Sequence, residues 1–290
     1  MNDYLLAALL GLVEGLTEFL PVSSTAHLRV CQALLGIDLT DRYWTMFSIV
    51  IQAGAILSLP LYFRNTLGEY LSHFPRGPRG AGSFFTHPLT LVLVAFAFTA
   101  GPTLLLTKLI GENLESLVAM ASALLIGGIV MWGVDMFCSR GANRPPTEHL
   151  DEMGLFQSIW IGLCQALSAI FPGTSRSMAT IAAGQLAGMS RPAALEFSFL
   201  LAIPTMVAAT GFDLLRFVRA GENATGAAAD TMDAHGVILL AIGGLVSFVV
   251  AYLSVAWFMR WVREHGFVPF AIYRIVAGVL LLLYAGRPSS

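Results

Sequence analysis

Gly11-Leu-Val-Glu-Gly-Leu-Thr-Glu-Phe-Leu-Pro-Val-Ser-Ser-Thr25 aligns without gaps on Gly162-Leu-Cys-Gln-Ala-Leu-Ser-Ala-Ile-Phe-Pro-Gly-Thr-Ser-Arg176. Gly11, Leu12, Leu16, Pro21 and Ser24 recur as Gly162, Leu163, Leu167, Pro172 and Ser175. Further on, Met46–Ile51 matches Glu196–Leu201 at nearly the same offset. Two matches in the same order predict a duplicated chain, with halves 1–150 and 151–290. Each short apolar segment, 4–20 and 155–171, runs into a proline followed by small hydroxyl residues. Proline lacks the N–H and its ring clashes with the preceding turn, so the helix stops there. Each segment is therefore expected to enter a membrane, break, and return as a second short helix.

The surroundings of these segments call for a membrane. Tyr43–Phe63, Gly80–Thr107 (strongly apolar from Leu89), Ser116–Val134 and Gly236–Met259 contain no Asp, Glu, Lys or Arg, and Phe197–Phe212 is a slightly shorter run of the kind. A bilayer core takes about 20 apolar residues of helix. A sixth run near Phe270–Ala285 carries one charge, Arg274. Only 12% of the chain is charged and the mean hydropathy is +0.74, whereas a soluble domain carries about 25% charged residues. The expected fold is all-α and polytopic, with six transmembrane helices near 44–63, 89–108, 117–137, 195–212, 236–258 and 268–286, plus two re-entrant hairpins. Three crossings per half is an odd number, so the halves are expected to be inverted relative to each other. Such repeats place a ligand site near the midplane, where discontinuous helices meet.

Other partners are disfavoured. The net charge of −2 leaves no basic footprint for nucleic acid. Cys31, Cys138 and Cys164 lack the spacing of a zinc site or disulfide framework. The start, Met-Asn-Asp, has no basic region, and Glu14 and Glu18 interrupt the apolar stretch behind it, unlike a cleaved signal peptide. One set of loops carries Arg64, Arg76, Arg79, Arg140, Arg144, Arg191, Arg260 and Arg263; the other carries Arg29, Arg42, Lys108, Arg216, Arg219 and Arg287. The positive-inside rule places the first set in the cytoplasm and both termini outside.

Glu14 and Glu18 lie four apart, on one helical face with Ala7 and Gly11. An ionisable group at mid-membrane costs about 2.5–3.5 kcal/mol on insertion scales, so two of them require partners, unless both reach the interface. Ser23 or Ser24 is placed to cap the returning helix, with Thr25 following. Ser24 and His27 are neighbours at i, i+3. Hydroxyl, imidazole and carboxylate within one hairpin are the parts of an activated nucleophile, although a capped helix with a satisfied histidine has the same pattern. In the second half, Gly173 permits close backbone approach, and Thr174, Ser175 and Ser177 offer hydroxyls at a helix start, itself an anion site. Arg176 supplies a planar fork of donors for phosphate oxygens, or pairs with Glu14 or Glu18. Gln165 and Ala169 stand where Glu14 and Glu18 stand in the first half. That asymmetry favours chemistry over symmetric transport. Gln52, Arg191 and Glu196 read as interfacial, Pro204 as a kink, and Arg274 either snorkels or lines the site.

These segments resemble the two signature motifs of the undecaprenyl-diphosphatase family, also known for bacitracin resistance. The first motif, a Glu/Gln-x-x-x-Glu pair leading into Pro-x-Ser-Ser-x-x-His, is matched by Glu14, Glu18, Pro21, Ser23, Ser24 and His27. The second, Pro-Gly-x-Ser-Arg-Ser-Gly followed by Thr, is matched by Pro172, Gly173, Thr174, Ser175, Arg176 and Ser177, then Thr180. Met178 departs from the family glycine, which puts the pocket shape in question. The resemblance implies a multi-pass protein of the bacterial inner membrane. It implies hydrolysis of a polyprenyl diphosphate to the monophosphate on the outer face, recycling the carrier for peptidoglycan. It also implies a divalent cation, Mg²⁺ or Ca²⁺, and such hard cations suit the Glu14/Glu18 pair. Glu14, Glu18, Ser24 and His27 are the expected catalytic residues, with Ser24, His27 or a water as nucleophile. Gly173, Thr174, Ser175, Arg176, Ser177, Ser23 and Thr25 are expected to bind substrate. A transporter or flippase of a lipid phosphate or small anion is the rival class. Whether the chain acts alone or as a homodimer stays open.

Overall fold

In the computed structural model, residues 2–38, 41–76, 83–110, 116–140, 146–222 and 234–286 are described. They form α1 (Asp3–Thr17), α2 (Ser24–Leu34), α3 (Arg42–Tyr62), α4 (Arg64–His73), α5 (Pro88–Ile110), α6 (Leu117–Arg140), α7 (Leu155–Ile170), α8 (Arg176–Leu186), α9 (Arg191–Glu222), α10 (Ala234–His265) and α11 (Val268–Ala285). Among the described residues there is no strand beyond one isolated bridge, Thr147 with Met189. Six helices, α3, α5, α6, α9, α10 and α11, are long and apolar enough to cross a bilayer. Their outward faces carry Leu57, Leu93, Leu104, Phe137, Leu245 and Leu283, each more than half exposed. An apolar coat of this kind is stable only against hydrocarbon, so the chain is a multi-pass membrane protein.

α9 and α10 have 32 residues each. At 1.5 Å per residue each is about 48 Å long, well beyond a hydrocarbon core of about 30 Å. α9 runs unbroken through Pro204 and ends ten residues past the expected limit. The short α4 was not anticipated. Of the cationic residues used for orientation, Arg79, Arg144 and Arg287 lie outside the described residues, as do the side chains of Lys108 and Arg140.

α1 packs on α10 and α7 on α5, with small residues at both crossings. A Cβ on Gly11 would strike the backbone of Gly243, and one on Gly162 the backbone of Ala95. Close backbone approach maximises van der Waals contact where lipid offers no hydrophobic drive. Polar stitches follow the same lines. Thr99 donates to the Gly162 carbonyl at 2.9 Å and Ser158 to that of Leu91 at 2.5 Å, while Ser247 ties α10 to α3 through the Ile51 carbonyl at 2.7 Å. At one end Arg191 grips the buried Asp135 in a fork, Nε at 2.7 Å and Nη2 at 3.0 Å, and Asp135 also accepts from the Phe267 N–H. Arg191 is thus a tie between α9, α6 and the start of α11 rather than a free interfacial cation.

Both apolar segments break near their prolines. α1 ends at Thr17, before Pro21, and α7 at Ile170, before Pro172. The chain then turns through Ser23 (φ 73°) before α2 and through Gly173 (φ 92°) and Ser175 (φ 68°) before α8. Ser23 and Ser175 are the two non-glycine residues with positive φ among those described. Residues in this region cost about 1–3 kcal/mol and persist where the surroundings impose them. The two caps are Ser23 and Ser175, so the structural equivalence is shifted by one residue from the gap-free alignment: Arg176, not Ser175, occupies the position of Ser24.

Candidate active site

The two breaks meet. Ser177, in the first turn of α8, donates its hydroxyl to the Leu20 carbonyl in the first break at 3.0 Å and lies 3.1 Å from the Ser175 hydroxyl. Across this seam Arg176 Nη2 stands 3.7 Å from Glu18 Oε1. Arg176 Nη1 donates to the Ser198 carbonyl of α9 at 3.3 Å, and the guanidinium lies over the Phe19 ring at 5.9 Å. Nε and Nη2 are buried without a hydrogen-bond partner. A guanidinium with unused buried donors is costly unless an acceptor arrives, and three phosphate oxygens are such acceptors.

On the other side of Glu18, Ser24 Oγ donates to Oε2 at 2.5 Å. Hydroxyl, carboxylate and guanidinium thus form one line, Ser24–Glu18–Arg176, drawn from both halves of the chain. Glu18 continues the helical backbone of α1 as its cap residue, its N–H bonded to the Glu14 carbonyl at 2.9 Å. Glu14 lies one turn back, 1% exposed, with Oε2 buried and unpartnered. Two carboxylates with an unused oxygen fit a hard divalent cation, which is commonly held by one or two carboxylates plus substrate phosphates. No set of three or more metal-ligating side chains occurs among the described residues.

His27 does not join Ser24. Its Nδ1 lies 2.7 Å from the Ser23 carbonyl and its Nε2 2.6 Å from the Tyr273 hydroxyl, with the two rings stacked 5.6 Å apart. A carbonyl can only accept, so Nδ1 carries the proton and, in neutral imidazole, Nε2 accepts from Tyr273. The i, i+3 spacing put Ser24 and His27 on neighbouring positions, but Glu18 and Tyr273 offered each a better partner.

The remaining expected residues divide. Ser24 and Thr25 line a cavity of about 590 Å³, together with Glu14. Arg29 and Gln32 of α2, Trp44 and Gln52 of α3, and Asp213 and Arg216 of α9 also line it. Ser23 is buried at the turn and makes no side-chain cap bond. Ser175 does cap α8, its hydroxyl accepting from the Met178 N–H at 3.4 Å. Gly173 passes so close to Met120 that a Cβ would strike that backbone, and the Thr174 N–H is spent on the Phe171 carbonyl at 3.1 Å. Thr180 bonds Ser198 at 2.6 Å and thereby steadies the strut under Arg176. Met178 turns away from the cavity into the core beside Gly127 of α6. Its departure from glycine is absorbed by packing.

Arg274 neither snorkels nor lines the cavity. It is 0% exposed and donates to backbone carbonyls of Pro21, Ala123 and Gly173. Tyr273, Arg274 (read along the chain only as snorkelling or lining the site) and Ser198 are the contributors whose contacts the reading of motifs missed. The signal for the first two was present, a Tyr-Arg pair inside an otherwise apolar span, but nothing local says which way it faces.

Fold and site together define a class: a multi-pass helical membrane protein with a carboxylate–hydroxyl–guanidinium site between two broken helices. Residues 7–280 match the family described as bacitracin resistance protein BacA. Undecaprenyl-diphosphatase of Koribacter versatilis is 64% identical over 288 residues, covering 98% of this chain and 99% of that protein. Undecaprenyl-diphosphatase of Rhizobium etli is 42% identical over 282 residues, covering 97% and 96%. That of Caldanaerobacter subterraneus is 39% identical over 277 residues, covering 95% and 94%. The chain belongs to the bacitracin resistance protein BacA family.

Proposed function

We propose that the protein hydrolyses undecaprenyl diphosphate to undecaprenyl phosphate and inorganic phosphate, recycling the lipid carrier for peptidoglycan synthesis. The observation that carries this reading is the Ser24–Glu18–Arg176 line at the junction of the two breaks. Full-length similarity to undecaprenyl-diphosphatases supports it.

The terminal phosphate sits against the unused donors of Arg176. Ser24 Oγ attacks the terminal phosphorus and its proton passes to Glu18 Oε2. The bond from that phosphorus to the bridging oxygen breaks, its electron pair leaving with undecaprenyl phosphate. Water then attacks the phosphoserine, gives a proton through Glu18, and phosphate leaves with Ser24 restored. Arg176 stabilises charge on the transferring group, and such positioning and electrostatics dominate phosphoryl transfer. Glu14 and Glu18 would hold Mg²⁺ or Ca²⁺, which when bound neutralises charge on the phosphate oxygens. His27, turned toward Tyr273, sits behind the nucleophile as an orienting group of the turn.

The two halves, 1–150 and 151–290, act as inverted repeats whose first helices re-enter the membrane of the bacterial cell. The site opens to the outer face, because Arg29 and Arg216 at the cavity belong to the less basic set of loops. A transporter of lipid phosphate remains the second reading, supported by the matched crossings of α1 on α10 and α7 on α5. Phosphate release from undecaprenyl diphosphate in detergent micelles, with and without chelator, separates the two. The enzyme releases one phosphate per lipid and a transporter releases none. Trapping labelled phosphate on Ser24 supports the covalent step, and label on His27 or on neither overturns it.

A further inference from the structure

We propose that Arg274 is a positioning residue whose guanidinium sets the register between the two helix breaks. This rests on the hydrolase reading above and adds a residue to it.

Arg274 is the bulkiest fully buried side chain in the molecule's described part, at 0% exposure. Nη1 donates to the Pro21 carbonyl at 3.1 Å, in the first break. Nη2 donates to the Gly173 carbonyl at 3.1 Å, in the second break, and to the Ala123 carbonyl of α6 at 3.1 Å. No carboxylate lies within ion-pair reach of it among the described residues. Burying a charge costs several kcal/mol, offset only by good geometry and paired donors; here Nη1 and Nη2 are paired and Nε is buried without a partner. An apolar residue would fill the same space at no such cost. What it would not do is satisfy the carbonyls of two separate turns with one rigid group.

The anchors stand where register matters. Pro21 is three residues ahead of Ser24, and Gly173 three residues ahead of Arg176. The planar fork thus fixes the starting points of both short chains that carry the reacting hydroxyl and the phosphate-binding guanidinium. A misplacement of about 1 Å can cost about 10²-fold in rate. The other hydrogen bond across the seam, Ser177 to Leu20, is neutral, and the Arg176–Glu18 pair beside it is a looser contact at 3.7 Å.

The fold keeps room for this group. α6 presents Gly127 and Gly128 where α11 crosses it. A Cβ on Gly127 would strike Arg274 Nη2 and come within 2.8 Å of the Met178 methyl, and one on Gly128 would lie 2.9 Å from the Ala271 carbonyl. The next residue along α11, Tyr273, holds His27 Nε2, so one turn of α11 orders both breaks.

The test uses full-length protein in detergent and reads phosphate release from undecaprenyl diphosphate. Wild-type turnover decides the hydrolase reading on its own; ratios among variants decide Arg274. Arg274→Met should lower kcat about 100-fold with KM within threefold. Arg274→Lys keeps a charge but cannot span carbonyls on both breaks, so it should recover less than tenfold of that loss. Gly127→Ala displaces the guanidinium without removing it and should lower kcat in the same sense. The deciding readout is a double-mutant cycle with Arg176→Lys. If Arg274 sets register, Arg176→Lys costs less than threefold more in the Arg274→Met background. A residue that merely stabilised the fold would reduce the folded fraction and leave the Arg176→Lys factor unchanged. Should Arg274→Met fail to fold, the same cycle is run with Arg274→Lys. Turnover within threefold of wild type in the folded variant, a rise in KM alone, or multiplicative losses in the cycle overturns the proposal.

Discussion

The two broken helices share a local design and differ in their surroundings. In α8, nine of eleven residues are buried, an unbroken run from Ser177 to Gln185. In α2, only Ala26, Leu28 and Gln32 are buried out of eleven. α8 is packed on by α6, α7 and α9, whereas α2 has the cavity along one side. The residues one turn above the breaks differ in the same way. Gln165 donates to the hydroxyls of Thr99 at 2.9 Å and Thr205 at 3.1 Å, tying α7 to α5 and α9, while its Oε1 is buried without a partner. Glu14 also has one oxygen unpartnered, but among the described residues it ties no neighbouring helix, and it lines the cavity. One turn is thus an anchor packed around its arginine, and the other is open, with Ser24 and Glu14 on the cavity wall.

The sharpest way to break this comparison is to remove the acid of the open half. Glu18→Gln keeps the shape but neither takes the Ser24 proton nor pairs with Arg176, so kcat should fall about 10³-fold. Phosphate release within tenfold of wild type would show that Ser24 is activated elsewhere. On the anchored half, Arg176→Lys should cost about 10²-fold in kcat, because one ammonium cannot supply the several donors of the fork. Turnover near normal would mean that phosphate is held by other groups.

Exchanging the divergent pair probes the difference directly. Gln165→Glu puts a carboxyl among the hydroxyls of the packed half without its donors, and should destabilise by about 2 kcal/mol through unpaired buried groups. Glu14→Gln should leave the thermal midpoint in detergent nearly unchanged while lowering turnover. Equal midpoints for both variants would erase the distinction between anchor and open half. The smallest expected effect compares the caps. Ser175→Ala removes a side-chain cap and should cost about 1 kcal/mol. Ser23→Ala, whose hydroxyl makes no cap bond, should cost less in the same unfolding measurement.

Much of this molecule is legible along the chain. Charge-free runs located five of the six long helices, and a run with the single charge Arg274 located the sixth, because hydrocarbon disfavours unpaired charge over a span. Pro21 and Pro172 marked both breaks, and the residues after them include the hydroxyl and guanidinium that meet at Glu18. The helix ends were less legible. α9 and α10 overrun their apolar windows, since polar residues in the last turns stand outside the hydrocarbon and cost nothing there. The cap shift was hidden too: Ser23 and Ser24 are both adequate caps, and only the turn geometry chose Ser23.

Side-chain pairing across the site was the least visible. Ser24 had a sequence neighbour in His27 and took Glu18 instead, while His27 took Tyr273, 246 positions away. Arg274 read as either snorkelling or lining the site, and is instead fully buried between the two breaks.

Local covalent chemistry alone determined where this chain spans lipid, where it breaks, and which acids, hydroxyls and guanidinium flank each break, because apolar length and proline act within a few residues. Tertiary structure decided which of those groups touch, which break is shut and which is open, and what Arg274 holds. Those outcomes depend on how α9 and α11, far along the chain, pack against the two turns, and no window of sequence contains both sides of such a contact.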